Sequence, residues 1–239
     1  MSQNLMAKPT FSQPLFSLNM PGVNELFPGF APGDFAVLHG SASVISLTSL
    51  LCVRAQLPTQ LGGLGSNVIF VEGGNTFRLY NISRLAQLHQ LDPRQVLDHI
   101  FISRAFTAYQ LTSLILDKLE EAIKTYNAKL VVISDIAGFF LDSDVPHEEA
   151  QRIYSQIVSY LSAFARKHQI VVVATYLPYS DNKRNSQLQE ITCSRASTVL
   201  AFSKTPYTRE VTLEKHPRFI LGTAEMPSEN LTLTDFMSA

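Results

Sequence analysis

The chain has 239 residues, 46% of them hydrophobic, which is enough for one α/β domain with a sizeable core. Its formal net charge of −1 gives no global attraction to nucleic acid, so any such contact must be local. No apolar run reaches the length of a membrane span and no signal-type apolar segment opens the chain, so no membrane partner is expected. Residues 1–15 are polar and proline-containing and read as a flexible N-terminal arm. Residues 16–225 read as a single core domain, and 226–239 as a C-terminal tail. Short β-branched runs predict strands at 35–38, 68–71, 99–102, 130–134, 170–175, 198–202 and 209–214. Longer helical patterns lie at 46–56, 80–90, 108–126 and 147–168. Leu111, Leu114, Ile115, Leu119 and Ile123 recur at helical spacing, as do Ile153, Ile157, Tyr160, Leu161 and Phe164. Alternation of strand and helix predicts βαβ units and a mostly parallel central sheet flanked by helices, with antiparallel strands at the C-terminal end. Only 16% of residues are charged, which fits either a large core or apolar surface covered by a partner. Cys52 and Cys193 stand apart without metal-ligand spacing and read as inert thiols, so no metal site is expected.

The segment Phe35 to Gly40 reads as a buried strand running into a turn, with a helix-like run from Leu47 to Ala55 behind it. A phosphate-binding connection of this kind carries G-x-x-x-x-G-K-[ST]. Its second Gly lets backbone N–H groups reach the phosphates, its Lys contacts the outer phosphates, and its hydroxyl holds Mg²⁺. Here Gly40 is followed by Ser41, Ala42, Ser43 and Val44. Ile45 then stands for the second Gly, Ser46 for the Lys and Leu47 for the hydroxyl residue. Ile45 also brings a branched side chain to where a phosphate would approach. The loop is therefore vestigial, and neither ATP nor Mg²⁺ is expected as a cofactor.

An ordered series of motifs resembles the catalytic core of the RecA/RadA recombinase family. It comprises Gly22 to Phe30, Gln56-Leu57-Pro58 with Gly62-Gly63-Leu64-Gly65, and Val68 to Val71. It continues with Thr76-Phe77-Arg78, Ser103-Arg104-Ala105-Phe106 with Gln110, and Lys129 to Ile133. Ile170 to Thr175 and Arg195-Ala196-Ser197-Thr198 complete it. The resemblance covers roughly residues 15–225 and implies a RecA-like core. It also implies where ATP chemistry would sit. Gly74 occupies the place of the Glu that activates water, and Glu72 lies two residues before it. Ser134 occupies the place of the acid that supports Mg²⁺, with Asp135 next to it, and Leu177 stands for the sensor Gln. Phosphoryl transfer needs its charge neutralised by such groups. Their joint loss predicts a pseudo-ATPase with no catalytic residue. A diverged ATPase that uses Glu72 or Asp135 as substitutes is the enzyme alternative.

The resemblance further implies two DNA-facing loops. The first, Leu141 to Glu149, is acidic and repels phosphate; Asp144 or a neighbour is expected to cap the following helix, with Glu148 and Glu149 in its first turn. The second, Tyr179 to Gln187, reads as a polar flexible loop. Tyr179 is a candidate for base stacking and Lys183, Arg184 and Arg195 for phosphate contact, the alternative being ordinary solvated charges. Lys215-His216-Pro217-Arg218 falls where the family has a turn that caps a neighbour's nucleotide, and its Asp is gone. The F-x-x-A segment with which the family joins subunits is not found ahead of the core. Together these readings imply a non-catalytic paralogue acting in DNA recombination and repair. Its expected partners are an active recombinase or another paralogue, with single-stranded DNA as a further ligand. The implied location is cytoplasmic and nucleoid-associated in a prokaryote, and nuclear in a eukaryote. A scaffold of the same fold unrelated to DNA is the third reading.

Overall fold

The computed structural model describes residues 14–205 and 208–226. The arm is described only from Pro14 on, and of the expected tail only Met226 lies within the described residues. Five strands dominated by Val, Ile and Leu are buried along nearly all their length: β1 (Phe35–His39), β2 (Asn67–Glu72), β4 (Ala128–Ser134), β5 (Val171–Tyr176) and the first half of β6 (Thr198–Lys204). Continuous rather than alternating apolar runs are what a parallel sheet covered on both faces requires. With β3 (Ile100–Arg104), β7 (Arg209–Lys215) and β8 (Gly222–Glu225), they form one eight-stranded sheet in the order β3-β2-β4-β5-β1-β6-β7-β8. Every pairing from β3 through β6 is parallel, and β6–β7 and β7–β8 are antiparallel.

Helices cover both faces. On one side lie α2 (Val44–Arg54), α3 (Leu79–Leu88) and α4 (Pro93–Asp98), packed with the lead-in residues Phe16, Leu18 and Phe27 and the short α1 (Val23–Leu26). On the other lie α5 (Ala108–Ser113), a π-helical turn at Leu114–Lys118, α6 (Leu119–Thr125), α7 (Gly138–Leu141) and α8 (His147–His168). α8 buries Ile153, Ile157, Leu161 and Phe164 at helical spacing, as expected. Glu148 and Glu149 sit in its first turn, Arg166, Lys167 and His168 in its last, and Gln169 ends it in a left-handed conformation. Arg54, the last residue of α2, is buried and forms no ion pair with a carboxylate among the described residues. Its Nε donates to the Ser17 carbonyl at 2.6 Å and its Nη2 to the Leu61 carbonyl at 2.8 Å, which fastens the lead-in segment to the sheet's flank.

Several sequence expectations are corrected. The pattern over 108–126 is helical throughout but changes register at Leu114–Lys118. α4 and β8 were not anticipated, and α2 begins two residues before 46. Asp144 does not cap α8: Pro146 holds that position with no side-chain bond, and Asp142 Oδ1 instead accepts from the Asp144 amide at 3.0 Å. The flexible loop expected over 179–187 ends at Asn182, because Lys183–Arg195 forms helix α9. Among the described residues no helix is long and apolar enough to cross a membrane.

Candidate functional site at the carboxyl ends of the strands

In open α/β sheets ligands bind beyond the carboxyl ends of the strands. At the end of β1, Gly40 has φ +100°, and a Cβ there would lie 2.5 Å from the Phe202 carbonyl oxygen, so only Gly fits. The chain then closes on itself. The amides of Val44, Ile45 and Ser46 donate to the carbonyls of Ser41, Ala42 and Ser43 at 3.2, 3.2 and 3.0 Å, and that of Leu47 donates to Ser43 at 3.3 Å. A phosphate nest needs successive N–H groups aimed into an open concavity. Here those amides are satisfied by the turn's own carbonyls. Ser46 is exposed, Ile45 half-buried and Leu47 buried in the core, and Gly40 to Val53 contain no charged side chain. This turn fits a nucleotide phosphate poorly. Beneath it, His39 Nε2 lies 2.8 Å from Glu214 Oε2.

At the end of β2, Glu72 is fully buried. Its Oε1 accepts from the Thr76 amide at 2.7 Å, Ser134 Oγ at 3.0 Å, Thr76 Oγ1 at 3.2 Å and the Gly74 amide at 3.4 Å. Its Oε2 accepts from the Phe77 amide at 2.8 Å. The Thr76 and Ser134 hydroxyls also lie within hydrogen-bond distance of one another, and their two protons serve two of these three contacts at a time. Burial pushes the Glu72 carboxyl up, but the Thr76 and Phe77 amides and the Ser134 hydroxyl outweigh it and hold the carboxyl below its usual range. The carboxylate is thus used to fold the 73–77 loop against β4.

Asp135 follows Ser134 with φ +52° and has its own hydrogen-bond partners. Its Oδ2 accepts from the Tyr179 hydroxyl at 2.5 Å, and its Oδ1 from the Gly138 amide at 3.2 Å. Burial is the largest influence on this carboxyl and, with the nearby Glu72 charge, raises it despite those two hydrogen bonds. Its side chain fills the space beside Gly74: a Cβ on Gly74 would lie 2.6 Å from Asp135 Oδ2 and 2.7 Å from Asp135 Cβ. A Cβ on Gly138 would lie 2.5 Å from Asp135 Oδ2 and 2.7 Å from the Tyr179 hydroxyl. The place that the resemblance assigns to a water-activating Glu is therefore packed by Asp135, in a cluster whose acceptors are already served.

The remaining predicted residues scatter. Leu177 is half-buried and packs on the α2 face of the core. Tyr179 is half-buried, with its hydroxyl committed to Asp135. Lys183 is exposed in the first turn of α9 and Arg195 is exposed in its last turn. Arg184 is half-buried, with Nη2 donating to the Val145 carbonyl at 3.0 Å, which ties α9 to the first loop. Lys215 Nζ donates to the Cys193 and Ser194 carbonyls at 3.1 and 2.7 Å. The sequence reading missed the Asp135–Tyr179 link and the Thr76–Ser134 pair, for which no local signal exists. It also missed the α9 start, where Asn182, accepting from the Asn185 amide at 2.9 Å, was the available sign. A cleft of about 300 Å³ lies at the opposite, amino ends of the strands, lined by Gln56, Asn67, Asp92, Gln95, His99 and Asn127 among others.

The Rad51 family's sequence model matches residues 28–203, which hold the parallel strands β1 to β6 and helices α2 to α9. The chain is 26% identical over 156 residues to the "DNA repair and recombination protein RadA" of Cenarchaeum symbiosum (strain A). The match takes in 64% of this chain and only 36% of that relative's length.

Proposed function

This chain belongs to the Rad51 family, and on that premise we propose that it is a non-hydrolysing member that serves DNA recombination and repair as an accessory or mediator. It acts by contact with an active recombinase or another member of the family, and holds no resident nucleotide or Mg²⁺. The observation that carries the reading is the packing of Asp135 against Gly74 where the water-activating Glu would stand. The self-closed turn at Ser41–Leu47, without a lysine, supports it.

Two features favour a protein partner. The outer side of β3 carries no strand among the described residues, and Ile102 on it is exposed. Such an edge is a template for an added strand. Phe236-Met237-Ser238-Ala239, outside the described residues, has the F-x-x-A spacing in sequence. Weak single-stranded DNA contact through Lys183, Arg184 and Arg195 belongs to the same reading.

The second reading is a diverged ATPase that uses Glu72 or Asp135. Against it stand the donors already spent on both carboxylates. The test is phosphate release by the purified chain with ATP and Mg²⁺, and filament assembly by a RadA-type recombinase with and without it. The expected result is no release and an altered assembly rate, the latter lost in Ile102→Lys. Phosphate release abolished by Glu72→Gln sinks the proposal in favour of the ATPase. No release and no effect on the recombinase favours a scaffold outside recombination.

A further inference from the structure

We propose that the rim where the chain leaves β2 and β3 is a binding surface for single-stranded DNA, distinct from the α9 segment. β2 and β3 are parallel neighbours with Glu72 opposite Arg104, so the segments that follow them emerge at the same end of the sheet. That end carries Tyr80, which is 87% exposed, and Phe106, which is 69% exposed. Arg78 and Arg104 are exposed beside them in sequence, and Arg84 one turn further along α3.

Aromatic exposure alone would suit a protein interface equally well, because Tyr, Phe and Arg are enriched there too. The charge pattern decides. From Gly73 to Leu91 and from Ile100 to Leu116 there is no Asp or Glu, while Arg78, Arg84 and Arg104 are all present. Arg84 and Arg104 enter none of the ion pairs formed among the described residues. Arg78 Nη1 donates to the Asn75 carbonyl at 3.1 Å, a contact that steadies its loop without neutralising its charge. Glu72 lies buried under the rim with its oxygens served. Glu149 of α8, beside the Tyr109 hydroxyl, marks the acidic boundary on one side. Exposed rings and unneutralised arginines at the same end of β2 and β3 supply stacking faces and phosphate-binding charge, the two kinds of group that single strands require. In a chain of net charge −1, such an acid-free stretch is a local exception. The choice of DNA over RNA rests on the recombination reading above; the surface itself does not.

The experiment is fluorescence anisotropy of the full chain with a labelled oligo(dT) of roughly 20 nucleotides, longer than the usual ~4–16-nucleotide sites, over a salt series. Tyr80→Ala/Phe106→Ala is expected to weaken binding by about tenfold or more. Arg104→Gln is expected to lower the salt slope by ~0.7. Lys183→Gln/Arg195→Gln should change affinity less. Tyr80→Phe/Phe106→Tyr, which keeps the rings, should bind as wild type, and urea midpoints check that each variant is folded. No binding by the wild-type chain at low salt overturns the proposal, as does unchanged affinity in the folded Tyr80/Phe106 alanine pair. Equal affinity for oligo(U) RNA overturns the assignment to DNA. Loss of recombinase contact in the alanine pair, with DNA binding intact, reassigns the rim to protein. Contact at the β3 edge is read separately by Ile102→Lys, so failure of either proposal leaves the other standing.

Discussion

A side chain on Gly74 and the present position of Asp135 are mutually exclusive, because the missing Cβ would sit well inside van der Waals contact of the carboxylate. Gly74→Ala is expected to destabilise the fold by about 1–3 kcal/mol, the usual cost of overpacking. In a double-mutant cycle with Asp135→Ala, the two costs should be clearly less than additive, because the second change removes the obstacle. Urea unfolding measures both, and simple additivity would mean that the neighbours do not constrain each other. The two carboxylates also answer pH in opposite senses. Glu72 is held below its ordinary range in the folded state. Its contribution is therefore present above the unfolded pKa and lost as pH falls through the folded one. Asp135 is raised, so its protonated form is favoured by folding, and its contribution is greatest at low pH and lost as pH rises through its folded pKa. Glu72→Gln should cost ~2 kcal/mol at neutral pH, in the range for hydrogen bonds to a buried charge. The deficit relative to wild type should shrink toward acid. A deficit that is constant from neutral to acid pH would show that Glu72's charge is not what the amides hold.

Elements differ in how openly the sequence announces them. α8 was legible to its terminal residues, because a long apolar stripe lies between acidic first-turn and basic last-turn residues. α9 was not legible. Its buried residues are Asn185, Leu188 and Thr192, which make no apolar stripe, so a polar helix read as a loop. The strands were legible because a parallel sheet buried on both faces leaves continuous β-branched runs. β8 was hidden by its alternating half-burial over four residues. At the site, motif order alone singled out Ser46, Gly74, Ser134 and Leu177 as the positions to compare with the family pattern. What packs around them could not be read that way, since the Asp135–Tyr179 bond joins residues 44 apart in sequence and depends on a left-handed turn. The α9 start supplies an element-scale test. Asn182 Oδ1 accepts from the Asn185 amide, and the Asn185 side chain accepts from the Tyr176 hydroxyl at 2.6 Å, so the cap anchors the helix to the end of β5. Asn182→Ala should cost about 1 kcal/mol, and Asn182→Asp or Asn182→Ser much less. Chemical denaturation of the three variants checks this, and equal loss in all three would remove capping as the cause.

At the scale of the whole molecule, two buried clusters, one on each face of a single sheet, hold the fold together. A nucleotide-dependent member of such a family would gain stability from its ligand by mass action. Occupancy at about 100 times the dissociation constant adds ~2.7 kcal/mol. A domain of this size shifts its melting point by roughly 2–4 °C per kcal/mol. Real binding would therefore raise the melting point by about 5–10 °C at saturating ATP and Mg²⁺. For this chain the expected shift at millimolar nucleotide is nil. The Ser41–Leu47 turn has spent its amides, and Asp135 fills the space beside Gly74. Stabilisation should come instead from a protein partner. A recombinase strand on the open edge of β3 would cover Ile102 and complete the ladder, so the melting point should rise with recombinase concentration. A rise with Mg²⁺-ATP alone would reverse the reading of Ile45, Ser46 and Leu47, and would make Glu72 and Asp135 the next residues to replace.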